Sequence, residues 1–449
     1  MEIATELADL LRSVAEEHGV PGASAGVLVD GEVHAVGIGT TSVEHPQAVD
    51  PGTLFQVGSV SKTFTSAAVM QLVEAGSVDL DDPVARHLPD LGPATGLDTE
   101  AITVEHLLSH QAGFDGDHLF TSRRADDLTE LADARRFFEP GAGVSYSNAG
   151  FSIAGAVIEA VAGEAFEDVV GRRLLRPLGM RTAGFRADAV ITNKVAMPHL
   201  TLDDETFVLR GGGWQRGWEL GRLDRAAGGL IASVDHLLRW CTFQLDGLAD
   251  DGTALLSAES LERLHTPVVA VTPTERIGLD WFVDEIDGTT VIAHGGETPG
   301  YRTDLTLVPE QAVGVVSTTN AVNGSPVTRA VRRWALDRFA GLTETDPEVD
   351  PTIAVDLDRL TGRYLHAFGW IDVTHADEPD HLRVEVTPRD DVAWQPPAQA
   401  PATIAPYGPR DLRSVDLGDN VRTYRFGLDE DGSPAAWIQP GYRRAPRVD

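Results

Sequence analysis

The sequence predicts an α+β protein in which both ends of a first domain form one antiparallel sheet, followed by a small all-β barrel. Apolar residues alternate or run together in short segments near residues 25–36 and again near 277–318, as they do in strands. Between these regions, from Ser59 to about residue 265, they recur with helical spacing. A sheet built from both ends with a helical insertion between them is an αβ sandwich.

The first helix is predicted over residues 2–18 and ends at the glycine- and proline-containing turn at 19–22. An Asp-Gly pair at 30–31 then joins two strands as a tight hairpin. Helical periodicity follows in five segments, 61–76, 103–109, 149–162, 164–175 and 233–245. Strands return at 277–284, 289–294, 302–308 and 312–318, before a last helix from Ser325 to about residue 340.

The chain divides at an acidic, proline-punctuated segment without periodicity. We therefore predict a first domain over residues 1–342, a linker over 343–354 and a β-barrel over 355–449. Short alternating segments separated by Gly, Pro or Asp are the signal for the barrel.

Composition excludes several classes of protein. The 449 residues include 69 acidic and 36 basic side chains, giving a formal charge of −33, which argues against nucleic acid or anionic lipid as a partner. No run of about 18 apolar residues and no basic, apolar leader is present, so we expect no membrane segment and a cytoplasmic location. The single cysteine, Cys241, precludes an internal disulfide.

Two serine motifs compete as the source of a nucleophile. Residues 22–26 fit G-x-S-x-G, but the nucleophile elbow needs a strand before the serine and a helix after it, whereas here a strand follows. We therefore interpret Ser24 as part of a strand entry. The other serine motif, Ser59-Val-Ser-Lys62, lies where a helix begins and is the first motif of the candidate site.

Positions i and i+3 share one face of a helix, so the Lys62 amine is expected to reach the Ser59 hydroxyl. To act as a base near pH 7, a lysine needs its pKa lowered by burial or by nearby cations. The basic residues are almost all arginine, with lysine only at Lys62 and Lys194. Because arginine does not give up its proton, a retained lysine favours a role in proton transfer.

Two further motifs lie at loop and strand-end positions suited to a cleft. The second motif is the segment 143–148, in which Tyr146 and Asn148 precede a predicted helix. The third motif begins at His294, which ends a predicted strand and is followed by Gly295 and Gly296, which let a substrate approach the backbone.

With these motifs in this order, the sequence resembles the serine β-lactamase and penicillin-binding-protein-like superfamily, and within it the class C-like serine hydrolases. Segments 102–114, 176–180 and 227–235 resemble the family as well, so the likeness covers about residues 5–340. It implies a β-lactamase/transpeptidase-like αβ sandwich with a helical subdomain. The tail resembles the lipocalin-like barrels attached to some members.

The resemblance implies a role for each motif residue. Ser59 would be the acylated nucleophile, with Lys62 and Tyr146 as proton-transfer groups, in an order left open. Asn148 would orient Lys62 and the substrate. His294 takes the place of the lysine in the K-T-G motif. The backbone N–H groups of Ser59 and Glu297 would form the oxyanion hole.

Substrate contacts are expected from Gly295 and Gly296. The indoles of Trp214 and Trp218 are candidates for the wall of the pocket, and packing under the glycine-rich loop that carries them is the alternative. A histidine is only partly charged near pH 7, and Gly295 supplies no hydroxyl, so a dedicated β-lactamase or D,D-peptidase is disfavoured. This third motif is more typical of members that cleave esters, amides or small peptides, including peptides with D-residues.

The sequence therefore predicts a serine hydrolase acting through an acyl-enzyme on a small-molecule ester, amide or peptide. Acyl transfer or peptide cyclisation on the same acyl-enzyme, β-lactamase or D,D-peptidase activity, and a non-catalytic ligand-binding protein are the alternatives. No cofactor is predicted, and no H-E-x-x-H or similar metal motif is present. The sequence leaves the oligomeric state open.

Overall fold

A computed structural model describes residues 2–121, 127–202, 205–210, 218, 220–272, 274–389, 400–418 and 421–449. These residues form two compact units. The first unit combines Met1–Ser109 with Gly150–Glu344, and the second combines His110–Ala149 with Thr345–Asp449. Residues 110–149, which we expected within the first domain, thus group with the C-terminal part of the chain.

An eight-stranded antiparallel sheet forms the centre of the first unit and confirms the predicted sheet from both chain ends. Its strands, in spatial order, are Glu32–Gly39, Gly22–Val29, Val313–Thr319, Tyr301–Val308, Thr289–Thr298, Phe282–Ile286, Arg276–Ile277 and Val269–Ala270. Gly22–Val29 pairs with Val313–Thr319, so the N-terminal hairpin joins the later strands directly. Short pairs form between Phe55–Gln56 and Ile231–Ala232, and between His199–Leu202 and Glu205–Val208.

The described residues also form α-helices and shorter helical turns. The α-helices are Glu2–Glu17, Ser61–Glu74, Val84–His87, Leu91–Thr95, Val104–Leu108, His118–Thr121, Asn148–Ala162, Phe166–Val170, Ala187–Val190, Arg225–Gly228, Val234–Asp246, Ala258–His265 and Ser325–Ala335. Tighter or wider helical turns span Gly58–Val60, Leu128–Asp133, Gly171–Leu175, Pro309–Gln311, Leu336–Ala340 and Leu357–Arg359. No single helix of the described residues is long and apolar enough to cross a membrane, although Asn148–Ala162 and Phe166–Leu175 pass by length and composition as a pair bent by 75°.

Side chains from both terminal helices cover one face of the sheet. Leu7 and Leu11 of the first helix and Val327 and Val331 of the last share one apolar cluster with Val27 of the sheet. On the opposite face, helix Val234–Asp246 lies close enough that a Cβ at strand residue 26 would be 2.7 Å from the Leu238 side chain. The sheet is therefore covered by helices on both faces.

The C-terminal residues form the predicted β-barrel. Its eight antiparallel strands follow one another in chain order: Gly362–Leu365, Gly369–His375, Leu382–Pro388, Ala402–Pro406, Asp411–Ser414, Thr423–Gly427, Trp437–Pro440 and Ala445–Pro446. A bridge between Tyr364 and Arg447 brings the first strand to the last, so the barrel is nearly closed. Part of the predicted linker packs on the barrel, since Asp350 N–H donates to the Pro406 carbonyl at 3.0 Å.

Candidate active site

Ser59 lies in the turn Gly58–Val60, directly before helix Ser61–Glu74, and its side chain is partly exposed. Gly58 has φ +54°, and a Cβ there would lie 2.6 Å from the Glu297 backbone nitrogen. A larger residue would be strained and would collide with the neighbouring strand. The glycine before the serine therefore lets the turn approach the edge of the sheet.

Lys62 is fully buried one helical turn after Ser59. Its Nζ lies 3.0 Å from Ser59 Oγ, as the spacing predicts, and donates to the Ala227 carbonyl at 2.5 Å. The Phe151 ring centroid is 5.6 Å away. The amine is thus held at hydrogen-bond distance from the hydroxyl by a second bond and by apolar surroundings.

A segment distant in sequence braces the first turn of this helix. The Ser61 hydroxyl donates to the Gly58 carbonyl at 2.6 Å and accepts the Leu230 N–H at 2.9 Å. Thr65 Oγ1 donates to the Ala226 carbonyl at 2.7 Å. The segment 227–235, which resembles the family in sequence, thus holds Lys62 and the first turn of its helix in place.

The predicted oxyanion-hole residues lie on neighbouring segments of the first unit. Gly296 packs so closely on the turn that a Cβ there would be 1.9 Å from the Val57 carbonyl oxygen and 3.4 Å from the Ser59 nitrogen. The Glu297 nitrogen follows at once and borders Gly58. Both predicted N–H donors therefore flank this contact, and their role in binding an oxyanion stays a prediction.

His294 is buried in the sheet beside Asp280, a residue that the sequence analysis did not single out. Its side chain is 1% exposed, and its Nε2 lies 3.3 Å from Oδ2 of the fully buried Asp280. Its Nδ1 lies 2.6 Å from the Gly295 carbonyl oxygen. Asp280 adopts φ +76°, a conformation that Asp and Asn tolerate better than most residues. Gly295 is exposed, whereas the imidazole of His294 is buried.

Tyr146 and Asn148 belong to the second unit and are buried there. The Tyr146 N–H donates to the Tyr442 carbonyl at 2.8 Å, and the His110 ring lies 4.3 Å from the tyrosine ring. Asn148 Nδ2 donates to Asp117 Oδ1 at 2.6 Å. The second motif is thus built from the loop that carries it and from residues of the C-terminal part of the chain.

Of the two tryptophans considered for the pocket wall, the structure describes only Trp218. Trp214 lies outside the described residues. Trp218 is 6% exposed and packs with Phe55 and Ile231, and its indole N–H donates to the Tyr301 hydroxyl at 2.8 Å. The structure therefore gives Trp218 a packing role, and its contact with a substrate stays a prediction.

Comparison with known proteins gives the family. The model of the Beta-lactamase family matches residues 7–338. The chain belongs to the Beta-lactamase family. Among the curated proteins of similar sequence is Penicillin-binding protein 4 of Amycolatopsis lactamdurans, which is 31% identical over 79% of this chain and 95% of its own length.

Some solved structures match this Beta-lactamase family member over almost its whole length. The crystal structure of SurE covers 99% of both chains with 25% identity and a TM-score of 0.74, and that of SurE with D-Leu gives 26%, 0.72 and the same coverage. A mutant class C β-lactamase covers 74% of this chain and 97% of its own, with 21% identity and a TM-score of 0.63. These comparisons confirm the predicted resemblance and the β-lactamase-like fold.

Proposed function

We propose that the chain is a serine hydrolase that cleaves ester or amide bonds through an acyl-enzyme on Ser59. The observation that carries the proposal is the 3.0 Å distance between Lys62 Nζ and Ser59 Oγ, with the lysine fully buried and the serine partly exposed. A nucleophile within hydrogen-bond reach of a prepositioned base is the arrangement that covalent catalysis requires. Membership of the Beta-lactamase family supports the same reaction.

In the proposed mechanism, Ser59 Oγ attacks the substrate carbonyl carbon and its proton passes to Lys62 or Tyr146. The backbone N–H groups of Ser59 and Glu297 stabilise the oxyanion. Collapse of the tetrahedral intermediate breaks the bond to the leaving group, which takes up that proton. Water then attacks the acyl carbon and gives a proton to the same group. Collapse of the second tetrahedral intermediate breaks the bond to Ser59 Oγ, which takes up that proton as the acid is released.

The proposed substrates are small esters, amides or peptides, including peptides with D-residues. The third motif supports this class because His294 is buried and Gly295 is exposed without a hydroxyl, so the usual cationic and hydroxyl contacts to a β-lactam carboxylate are missing at these positions. The structure of SurE with D-Leu supports a D-residue in the acyl or amine portion. Acylation by penicillins is the second candidate, favoured by the relative named Penicillin-binding protein 4.

A substrate panel tests the proposal. Nitrophenyl esters, D- and L-aminoacyl anilides and nitrocefin are compared by kcat/KM, with Ser59→Ala as the matched control. We expect turnover of esters or D-aminoacyl anilides to exceed that of nitrocefin and to vanish in the variant. Preferential turnover of nitrocefin would favour the second candidate. Condensed product formed with an added amine would indicate acyl transfer, and activity that survives Ser59→Ala would refute the proposal.

A further inference from the structure

The loop at residues 441–444 joins the last two barrel strands and lies along the segment that carries Tyr146, within the same unit. Besides the bond from the Tyr146 N–H to the Tyr442 carbonyl, the Arg444 N–H donates to the Ser145 hydroxyl at 3.1 Å. Two hydrogen bonds, each donated by a backbone N–H group, therefore fix this loop against Ser145 and Tyr146 of the second motif.

Arg444 anchors the loop by packing. Its guanidinium lies 4.6 Å from the Phe138 ring centroid and 4.1 Å from that of Trp437. Burial lowers the pKa of Arg444 to about 10. A Cβ at residue 143 would lie 2.7 Å from the guanidinium, so the glycine there makes room for it. The neighbouring Arg443 is held in register by these contacts.

Arg443 makes two contacts to the second motif. Its guanidinium lies over the Tyr146 ring, 4.7 Å from the centroid, and its Nε donates to Asp117 Oδ2 at 2.5 Å. The Asp117 side chain is 2% exposed, and its other oxygen accepts the bond from Asn148. One buried carboxylate thus joins the barrel arginine to the motif asparagine, while the arginine itself covers the motif tyrosine.

We propose that Arg443 and Asp117 are positioning residues that hold Tyr146 and Asn148 in the orientation that their proposed roles require. This inference rests on the proposed function. A displacement of about 1 Å in a reacting group can slow a reaction about 10²-fold. Loss of the arginine would release the tyrosine ring and leave a buried carboxylate without its counter-charge, which is unfavourable.

The test measures the labelling of Ser59 by a fluorophosphonate in the full chain. Arg443→Ala and Asp117→Asn are each expected to lower the maximal labelling rate about 10- to 100-fold, while the probe concentration at half-maximal rate changes by no more than about twofold. Arg443→Lys keeps the charge but not the planar guanidinium, so an intermediate rate is expected. Because the two residues are proposed to act together, Ser59 in the double variant should be labelled no more slowly than in the slower single variant.

The matched control is Arg363→Ala, which removes a barrel arginine whose Nε lies 2.7 Å from Asp372 Oδ1 on the exposed surface. The fluorophosphonate should label Ser59 of this variant at the wild-type rate. Folded Arg443→Ala protein that labels at that rate, or additive effects in the double variant, would overturn the inference. If Arg443→Ala does not fold, Arg443→Lys is tested in its place, and labelling of that variant at the wild-type rate would overturn the inference. Wild-type protein that is not labelled on Ser59 would instead refute the proposed function, and this inference with it.

Discussion

At the scale of single residues, Ser24 and Ser59 separate the two serine motifs. Ser24 is fully buried in a strand and its hydroxyl donates to the Val36 carbonyl at 3.0 Å, whereas Ser59 is partly exposed beside Lys62. Ser59→Ala should abolish ester turnover. Ser24→Ala should keep it and lose about 1 kcal/mol of stability, the usual value of one hydrogen bond. Turnover and urea unfolding of both variants check this, and the opposite pattern would contradict it.

The two lysines offer a matched pair. Lys62 is buried against the nucleophile, while Lys194 is 35% exposed and pairs with Asp50. Lys62→Arg keeps the positive charge but blocks proton transfer, so turnover should fall about 10³-fold. Lys194→Arg should leave kcat/KM unchanged. Equal kcat/KM in the two variants would mean that Lys62 is only a structural cation.

Tyr146→Phe distinguishes catalysis from packing. The ring keeps its place between His110 and Arg443, and only the hydroxyl is lost. A proton-transfer role predicts a fall in turnover of about 10²- to 10⁴-fold with little change in Tm. A lowered Tm with normal turnover would instead assign the residue to the core of the second unit.

The residues that the sequence did not reveal are those that long-range folding brings to a motif. Ser59 and Lys62 were predictable because a helical turn fixes their spacing. Ala227 is 165 residues from Lys62 and Asp117 is 31 residues from Asn148, so no local pattern links either pair. Asp280 likewise reaches His294 only through the pairing of the sheet.

At the scale of elements, two helices begin with the same capping box, in which a histidine occupies the third position. Thr103 and His106 cap helix Val104–Leu108, and Ser233 and His236 cap helix Val234–Asp246. His236 Nδ1 accepts the Ser233 N–H at 3.2 Å, which requires that nitrogen to be unprotonated. Burial, together with the nearby Arg239 charge, lowers the pKa of His236 to about 4.

This cap predicts a loss of stability in acid. The unfolded chain takes up a proton at His236 near pH 6.5 and the folded chain only near 4, so the free energy of unfolding should fall as the pH drops between these values, by up to roughly 3 kcal/mol. His236→Gln keeps an acceptor for the cap and cannot titrate, so its stability should depend less on pH in this window. Urea unfolding at pH 7 and 4.5 measures the difference, with exposed His45→Gln as control. Equal pH dependence in wild type and His236→Gln would contradict the prediction.

The boundaries of two elements differ from those that the spacing of apolar residues predicts. The strand predicted over residues 289–294 continues to Thr298, because Gly295, Gly296 and Glu297 pair with residues 302–304 of the next strand. Two glycines interrupt the apolar pattern without interrupting the hydrogen bonds. The segment predicted as one helix over 164–175 changes at Gly171 from an α-helix to a wider turn.

At the scale of the whole molecule, the sheet from both chain ends and the C-terminal barrel were predictable, because strand periodicity and turn residues mark them. The grouping of His110–Ala149 with the barrel was not. It depends on contacts between segments about 300 residues apart, such as that between Ser145 and Arg444, and no spacing in the sequence encodes them.

Formation of a covalent acyl-enzyme on Ser59 is the central step of the proposed reaction, and mass spectrometry after treatment with a fluorophosphonate tests it most directly. We expect the intact folded protein to gain one adduct, which peptide mapping places on Ser59 and which Ser59→Ala abolishes. An unmodified folded protein, or an adduct that maps to another residue and persists in Ser59→Ala, would contradict the assignment of Ser59 as the nucleophile.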